Sequence, residues 1–277
     1  MCIFAKKKTE KMKYKLLATD LDGTLLNQKK EITPRTLQTL LDAQEQGLRV
    51  VLASGRPTYG VLPYAQSLQL SRFGGFLLSY NGAEIYDCQT KKMIFQRAID
   101  PSLLPIINRY AHEHHFAIET FNHNIAITEH PDDPFIQRQA CINLLTLKKV
   151  EHFVEAIDFP VMKCLIVGEP ERLVQLEQAM QQELKEKLNI CRSEPYFLEI
   201  VDKDVDKASA LSYLLDYTGH KREELIAVGD SYNDISMIRF AGLGVAMANA
   251  PEIVRQHADD ITRSNDDDGV ADLILRL

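Results

Sequence analysis

Polar and apolar positions follow two rhythms along this chain. Short unbroken apolar runs alternate with longer stretches in which apolar residues recur every three or four positions. Leu16-Leu17-Ala18, Arg49 to Ala53 and Phe76 to Ser79 are runs of the first kind and read as buried strands. Between the first two, Thr33-Pro34 supplies an N-cap and a first-turn proline, Leu37, Leu40 and Leu41 fall at helical spacing, and Gly47 ends the helix. A second helix is expected from roughly Tyr59 to Leu70, with Pro63 in its first turns. The order β-α-β-α-β predicts a parallel sheet flanked by helices.

The rhythm then changes. Asn81-Gly82 is a turn dipeptide, followed by two runs that suit a hairpin, Ala83 to Asp87 and Met93 to Arg97. Helices are expected over Pro101 to His114, Phe135 to Leu145 and Glu169 to Lys187. Strands are expected over Ile118 to Thr120, Asn124 to Thr128, Met162 to Val167, Asn189 to Ser193 and Phe197 to Val201. The parallel rhythm returns with a helix from Lys207 to Tyr217, a strand from Glu224 to Val228, a helix to Phe240, a strand from Leu243 to Ala246 and a closing helix from Gly269 to Leu277. The expectation is an α/β core, residues 13–83 and 202–277, with an α+β unit, residues 84–201, inserted as a second domain. Its connections, near 82–86 and 198–204, would be hinges. Met1 to Lys15 carries six lysines and a four-residue apolar patch, too short for a secretory signal, so residues 1–12 are expected to be a disordered extension.

Composition narrows the partners. A net charge of −7 disfavours broad binding to nucleic acid or to an anionic membrane, but permits a small anionic substrate at a locally positive site. No apolar run approaches the ~20 residues of a membrane span. The five cysteines are odd in number and none has C-x-x-C spacing, which fits free thiols in a reducing cytoplasm. Nothing in the sequence chooses between a monomer and a homodimer.

The candidate chemistry gathers at strand ends. Asp20 and Asp22 follow the first strand two residues apart, and Gly23 permits a sharp exit. Ser54-Gly55-Arg56 follows the second strand. Gly229-Asp230-Ser231-Tyr232-Asn233-Asp234 follows the strand that starts near Glu224, and Lys207 opens a helix. In open α/β sheets ligands bind beyond the carboxyl ends of the strands, so these residues would share one mouth. Four carboxylates and one ammonium sum to −3, which repels a phosphate dianion unless a cation is present. Clustered oxygens suit a hard cation such as Mg²⁺. With a metal in place, Asp20 could attack phosphorus to form an aspartyl-phosphate. Asp22 could protonate the leaving alkoxide and then activate water. Ser54, the backbone amides around Leu21, Asp22 and Gly55, and Lys207 could hold the phosphoryl oxygens.

Asp-Leu-Asp-Gly-Thr-Leu-Leu, Ala-Ser-Gly-Arg-Pro, the helix-opening lysine and Gly-Asp-x-x-Asn-Asp-x-x-Met resemble the four motifs of the haloacid dehalogenase superfamily of phosphohydrolases. Tyr80-Asn81-Gly82-Ala83, Ala246 to Ala250 and Asn265 to Ala271 are similar to its Cof-type branch. The resemblance implies a Rossmann-like core with a mobile C2B-type cap inserted after the third strand. It implies Asp20 as nucleophile, Asp22 as general acid and base, Ser54 and Lys207 on phosphate, and Mg²⁺ on Asp20, the Asp22 carbonyl and Asp230. Asn233, Asp234 and Asn249 would support the site. Ala208 departs from the pattern, which has glycine after the lysine. Arg56 is open between a substrate contact and an ion pair, and Asn81 between a turn and a site role. His112, His114 and His115 in the cap do not share one helix face and are not expected to bind metal. The implied function is Mg²⁺-dependent hydrolysis of a small phosphorylated metabolite, a sugar phosphate or a phosphorylated cofactor. A phosphomutase and a non-catalytic phosphometabolite-binding protein are the alternatives.

Overall fold

The computed structural model describes residues 13–277, so the expectation for residues 1–12 lies outside the described part. The chain opens with β1 (Leu16–Thr19), α1 (Pro34–Glu45), β2 (Arg49–Ala53), α2 (Thr58–Ser67), the single turn α3 (Leu70–Phe73) and β3 (Phe76–Ser79). The hairpin β4 (Glu84–Asp87) and β5 (Lys92–Gln96) follows. The inserted unit holds α4 (Leu104–Glu113), β6 (Ala117–Asn122), β7 (Ile125–Thr128), α5 (Pro134–Ile142), β8 (Thr146–Lys149), β9 (Cys164–Val167), α6 (Pro170–Leu184), β10 (Leu188–Glu194) and β11 (Phe197–Asp202). The chain returns through α7 (Lys207–Thr218), β12 (Leu225–Gly229), α8 (Ile235–Phe240), β13 (Leu243–Ala246), α9 (Glu252–Arg255), β14 (Asp260–Ile261) and α10 (Gly269–Leu275).

Eight strands form the larger sheet in the order β14-β13-β12-β1-β2-β3-β4-β5. The first six are parallel, and β1 lies between β2 and β12 with Ala18 opposite both Val51 and Ala227. Both faces of β1 and β2 are buried, Leu17, Val50 and Leu52 in one cluster and Leu16, Ala18 and Val51 in the other, which is why these strands read as unbroken apolar runs. The mixed α/β architecture with a parallel-rich core is the one expected.

The hairpin corrects the expected boundary. β4 and β5 continue the large sheet antiparallel to β3, with Phe76 opposite Asp87 and Ser79 opposite Glu84. The turn at Asn81-Gly82 lets β4 fold straight back onto β3, so residues 84–96 extend the core sheet rather than the inserted one. The first crossing between the units therefore follows Gln96, not Gly82. There Arg97 pairs with Asp202 at 3.0 Å and Asp204 at 2.9 Å, tying the outgoing crossing to the returning one.

The inserted sheet has the order β10-β11-β9-β6-β7-β8, antiparallel except for the last pair. One face packs on α4 and α6 through Ile107, Leu173, Leu176 and Met180. The other face turns toward the core, where Ala117, Phe121, Leu165 and Val167 meet Tyr80, Ala83 and Val205. β8 was not expected. Its sequence, Thr-Leu-Lys-Lys, is mostly exposed and sits at a sheet edge, where charge discourages further pairing.

Candidate active site

β1 stays in register with β12 one residue past its end, where the Asp20 amide donates to the Val228 carbonyl at 3.0 Å. Leu21 then buries its side chain in the core, leaving only its backbone for a ligand. Gly23 has φ of 86°, and a Cβ there would collide with the carboxylate of Asp230. That glycine lets the loop after β1 press against the loop after β12. Thr24 completes the contact, its hydroxyl donating to Asp230 Oδ1 at 2.7 Å.

Lys207, at the first position of α7, is fully buried. Its ammonium donates to Asp20 Oδ1 at 2.7 Å and to Asp234 Oδ1 at 2.6 Å. Asp234 is equally buried, and its Oδ2 accepts from the backbone N–H groups of Asp230 and Ser231, both at 2.9 Å. Asp234 therefore braces the lysine and closes the turn that presents Asp230.

Asp22 points elsewhere. Arg56 grips its carboxylate with two N–H groups, at 2.6 and 2.7 Å, and Lys30 adds a third contact at 2.6 Å. Arg56 is thus an ion-pair residue, and it also donates to the Ile142 carbonyl of the cap at 3.2 Å. Ser54 is buried at the end of β2, its hydroxyl accepting from the Arg56 amide at 3.1 Å. Gly55 lies beneath the cap, where a Cβ would crowd Asn81 Oδ1 at 3.1 Å and the Glu199 carboxylate at 3.2 Å. Asn81, at φ 60°, donates to that carboxylate and accepts from Asn233 Nδ2 at 3.1 Å. Asn249 braces the loop after Asp22 instead of lining the cavity: its Nδ2 donates to the Gly23 carbonyl at 2.8 Å and its Oδ1 accepts from the Asn265 amide at 3.1 Å.

Buried charge at the floor of the site is only partly balanced. Burial pushes the Asp20 carboxyl well above the usual carboxylate range, although Lys207 opposes it. Burial, reinforced by the charge of Asp234, pushes Asp230 up to about 7, with the Thr24 hydrogen bond opposing. At Asp22 burial also favours the neutral form, but Arg56 and then Lys30 outweigh it and hold the group below its ordinary value. Carboxylate oxygens of Asp20, Asp230 and Asp234 lie within 4.8 Å of one another, so this cluster could hold a metal ion. Both oxygens of Asp234 already have donors, which leaves Asp20 and Asp230 as available ligands. An all-oxygen set suits a hard cation. Among the described residues the cap histidines form no such cluster.

Asp20, Asp22, Ser54, Gly55, Arg56 and Asp230 floor a cavity of about 330 Å³ whose roof is the cap sheet and the end of α5. A profile described as haloacid dehalogenase-like hydrolase matches residues 17–274 of the chain. The chain belongs to that family. Among solved structures, a haloacid dehalogenase-like hydrolase from Bacteroides thetaiotaomicron is 49% identical, covers 95% of this chain and 99% of its own, and superposes with a TM-score of 0.89. The 5-amino-6-(5-phospho-D-ribitylamino)uracil phosphatase YcsE of Bacillus subtilis is 32% identical over 96% of each chain. The pyridoxal phosphate phosphatase YbhA of Escherichia coli is 28% identical over 95% of this chain and 98% of its own. Membership in this hydrolase family makes the chain an enzyme.

The family motifs account for the floor of the cavity and not for its roof. Lys163, Glu199, Ser193 and Gln139 also line it, and sequence reasoning missed them. Lys163 lies just before β9 and Glu199 lies in β11, and the pairing of β9 with β11 brings them together. A lysine just before an apolar strand and a glutamate in a Phe-Leu-Glu-Ile-Val run carry no local sign of facing each other.

Proposed function

We propose that this hydrolase cleaves small phosphate monoesters with Mg²⁺ through an aspartyl-phosphate on Asp20. The observation that carries the reading is the chain Asp20–Lys207–Asp234, facing Asp230 at the floor of the cavity. The phosphatase names of relatives aligned along nearly the whole chain support it. Mg²⁺ held by Asp20, Asp230 and the Asp22 carbonyl would neutralise the carboxylates and draw charge from the phosphoryl group.

Lys207 holds Asp20 Oδ1 and leaves Oδ2 to attack phosphorus. The third donor of its ammonium, with the Ser54 hydroxyl and the backbone amides of Leu21 and Gly55, would cradle the phosphoryl oxygens. As the new Asp20–phosphorus link forms, the ester oxygen leaves and takes a proton from Asp22. Water then attacks phosphorus, returns a proton to Asp22 and frees Asp20. Asp22 is found clamped in the form that accepts a proton, so substrate binding must draw it partly away from Arg56 and Lys30 before it can donate one.

Release of inorganic phosphate from p-nitrophenyl phosphate, with and without chelator, tests the reading. Release is expected with Mg²⁺ and not with EDTA. Undiminished release in EDTA overturns the metal assignment. Isomerised ester without released phosphate would point to a phosphomutase, and tight binding without either product to a sensor.

A further inference from the structure

Six of the nine cap residues that line the cavity are polar or charged, and Lys163 is the most firmly placed of them. It is 2% exposed. Its ammonium donates to the Gly55 carbonyl at 2.7 Å and to Glu199 Oε1 at 2.9 Å. Glu199 is itself fixed, accepting from Ser193 Oγ at 3.0 Å and from Asn81. An ammonium has three donors, and two are used; it also lies 5.6 Å from the centroid of the Phe121 ring, and among the described residues no third acceptor takes the remaining N–H. Because Lys163 rests on Gly55, one residue from Ser54, and lines the same cavity, a leaving group seated there would meet it.

Gln139 stands on α5 across the cavity from β9. It is 4% exposed and its Oε1 meets no hydrogen-bond partner. A buried amide oxygen without a donor is costly, and in native structures most such groups find one. A hydroxyl can donate to an amide oxygen or accept from an amide nitrogen, so it answers either orientation of the glutamine. It can also accept from Lys163. Among the described residues Phe197 alone lines the cavity with an aromatic ring, so a flat heterocycle has one face to stack on there and no second ring from those residues to hold it. The volume lies at the lower end of the roughly 300–1,000 Å³ typical of ligand pockets, which favours a short leaving group.

Resting on the phosphatase reading above, we propose that Lys163 and Gln139 form the leaving-group subsite, and that this subsite selects esters whose leaving group carries several hydroxyls: sugar and polyol phosphates over aromatic ones. The test measures kcat and KM for glucose 6-phosphate, sorbitol 6-phosphate, ribose 5-phosphate, pyridoxal 5′-phosphate and p-nitrophenyl phosphate in Mg²⁺. Wild type is compared with Gln139→Met and Lys163→Met. The expected result is a kcat/KM at least tenfold higher for the best polyhydroxylated ester than for pyridoxal 5′-phosphate. Each variant should lose at least tenfold more on that ester than on p-nitrophenyl phosphate, mainly through KM. Gln139→Glu, which restores an acceptor, should recover part of the loss. A preference for pyridoxal 5′-phosphate, or equal losses on all esters, overturns the subsite assignment while leaving the phosphatase reading standing. No turnover of any ester by wild type overturns both.

Discussion

The two sheets that enclose the cavity contribute to it in different ways. The core sheet delivers its groups from strand ends. Asp20, Ser54 and Asp230 each follow a parallel strand by a residue or two, and parallel strands in register open on one side. The inserted sheet delivers its groups from one pleated face. Glu119, Leu165 and Glu199 sit opposite one another across β6, β9 and β11, and Lys163 lies one step along the same face. The first arrangement is written in contiguous residues. The second exists only once three distant segments are paired, because side chains alternate along a strand and register decides which of them meet. The half of the cavity that handles the phosphoryl group is therefore encoded locally, and the half that meets the rest of the substrate is encoded by topology.

The contrast also lies in how buried charge is balanced. In the core, Lys207 serves two buried carboxylates at once. Removing it in Lys207→Met leaves both without a counter-charge, and breaking such a pair typically costs about 3–5 kcal/mol. The expected outcome is a large fall in the denaturation midpoint. A midpoint equal to wild type would mean that the core half is not held by this charge network.

In the cap, Glu119 is fully buried and neither carboxylate oxygen has a hydrogen-bond partner. Burial pushes its pKa well above the usual carboxylate range, with Lys163 opposing and Asp133 adding to it. The folded protein thus keeps a proton that the unfolded chain gives up, so stability falls as pH rises from the ordinary glutamate range toward the raised folded value. Within that window a single group is worth up to about 1.4 kcal/mol per pH unit. Glu119→Gln removes the ionisation, so its Tm should exceed that of wild type at neutral pH and converge with it near pH 4. A Tm difference that does not change with pH would show that Glu119 is paired in solution.

Much of the core was legible because its signals are short-range. Asp20-Leu21-Asp22-Gly23 and Gly229 to Asp234 each hold a strand end, a turn and the functional groups within a few residues. Lys207 sits directly after the capping residue of its helix, where the Asp206 side chain accepts from the Ser209 amide at 2.7 Å. The sequence places the hairpin at 84–96 in the inserted unit because a hairpin reads the same whichever sheet it extends; only pairing to Phe76–Ser79 settles it. Asn249 resembles a family position that supports the site, and its side chain ties the Gly23 carbonyl to the Asn265 amide. Arg56 was open between two roles, because its partner, Asp22, lies 34 residues earlier in the chain. Lys163 and Glu199, separated by 36 residues, have no sequence signature at all.

The claim on which both halves depend is that Asp20 carries the phosphoryl group. Borohydride reduces an acyl phosphate to an alcohol, so quenching the enzyme during turnover of p-nitrophenyl phosphate with Mg²⁺ and then digesting it locates the modified residue by mass. The account predicts homoserine at position 20, absent without substrate and absent in Asp20→Asn. Full turnover by Asp20→Asn, or reduction mapped to any other carboxylate, would contradict it.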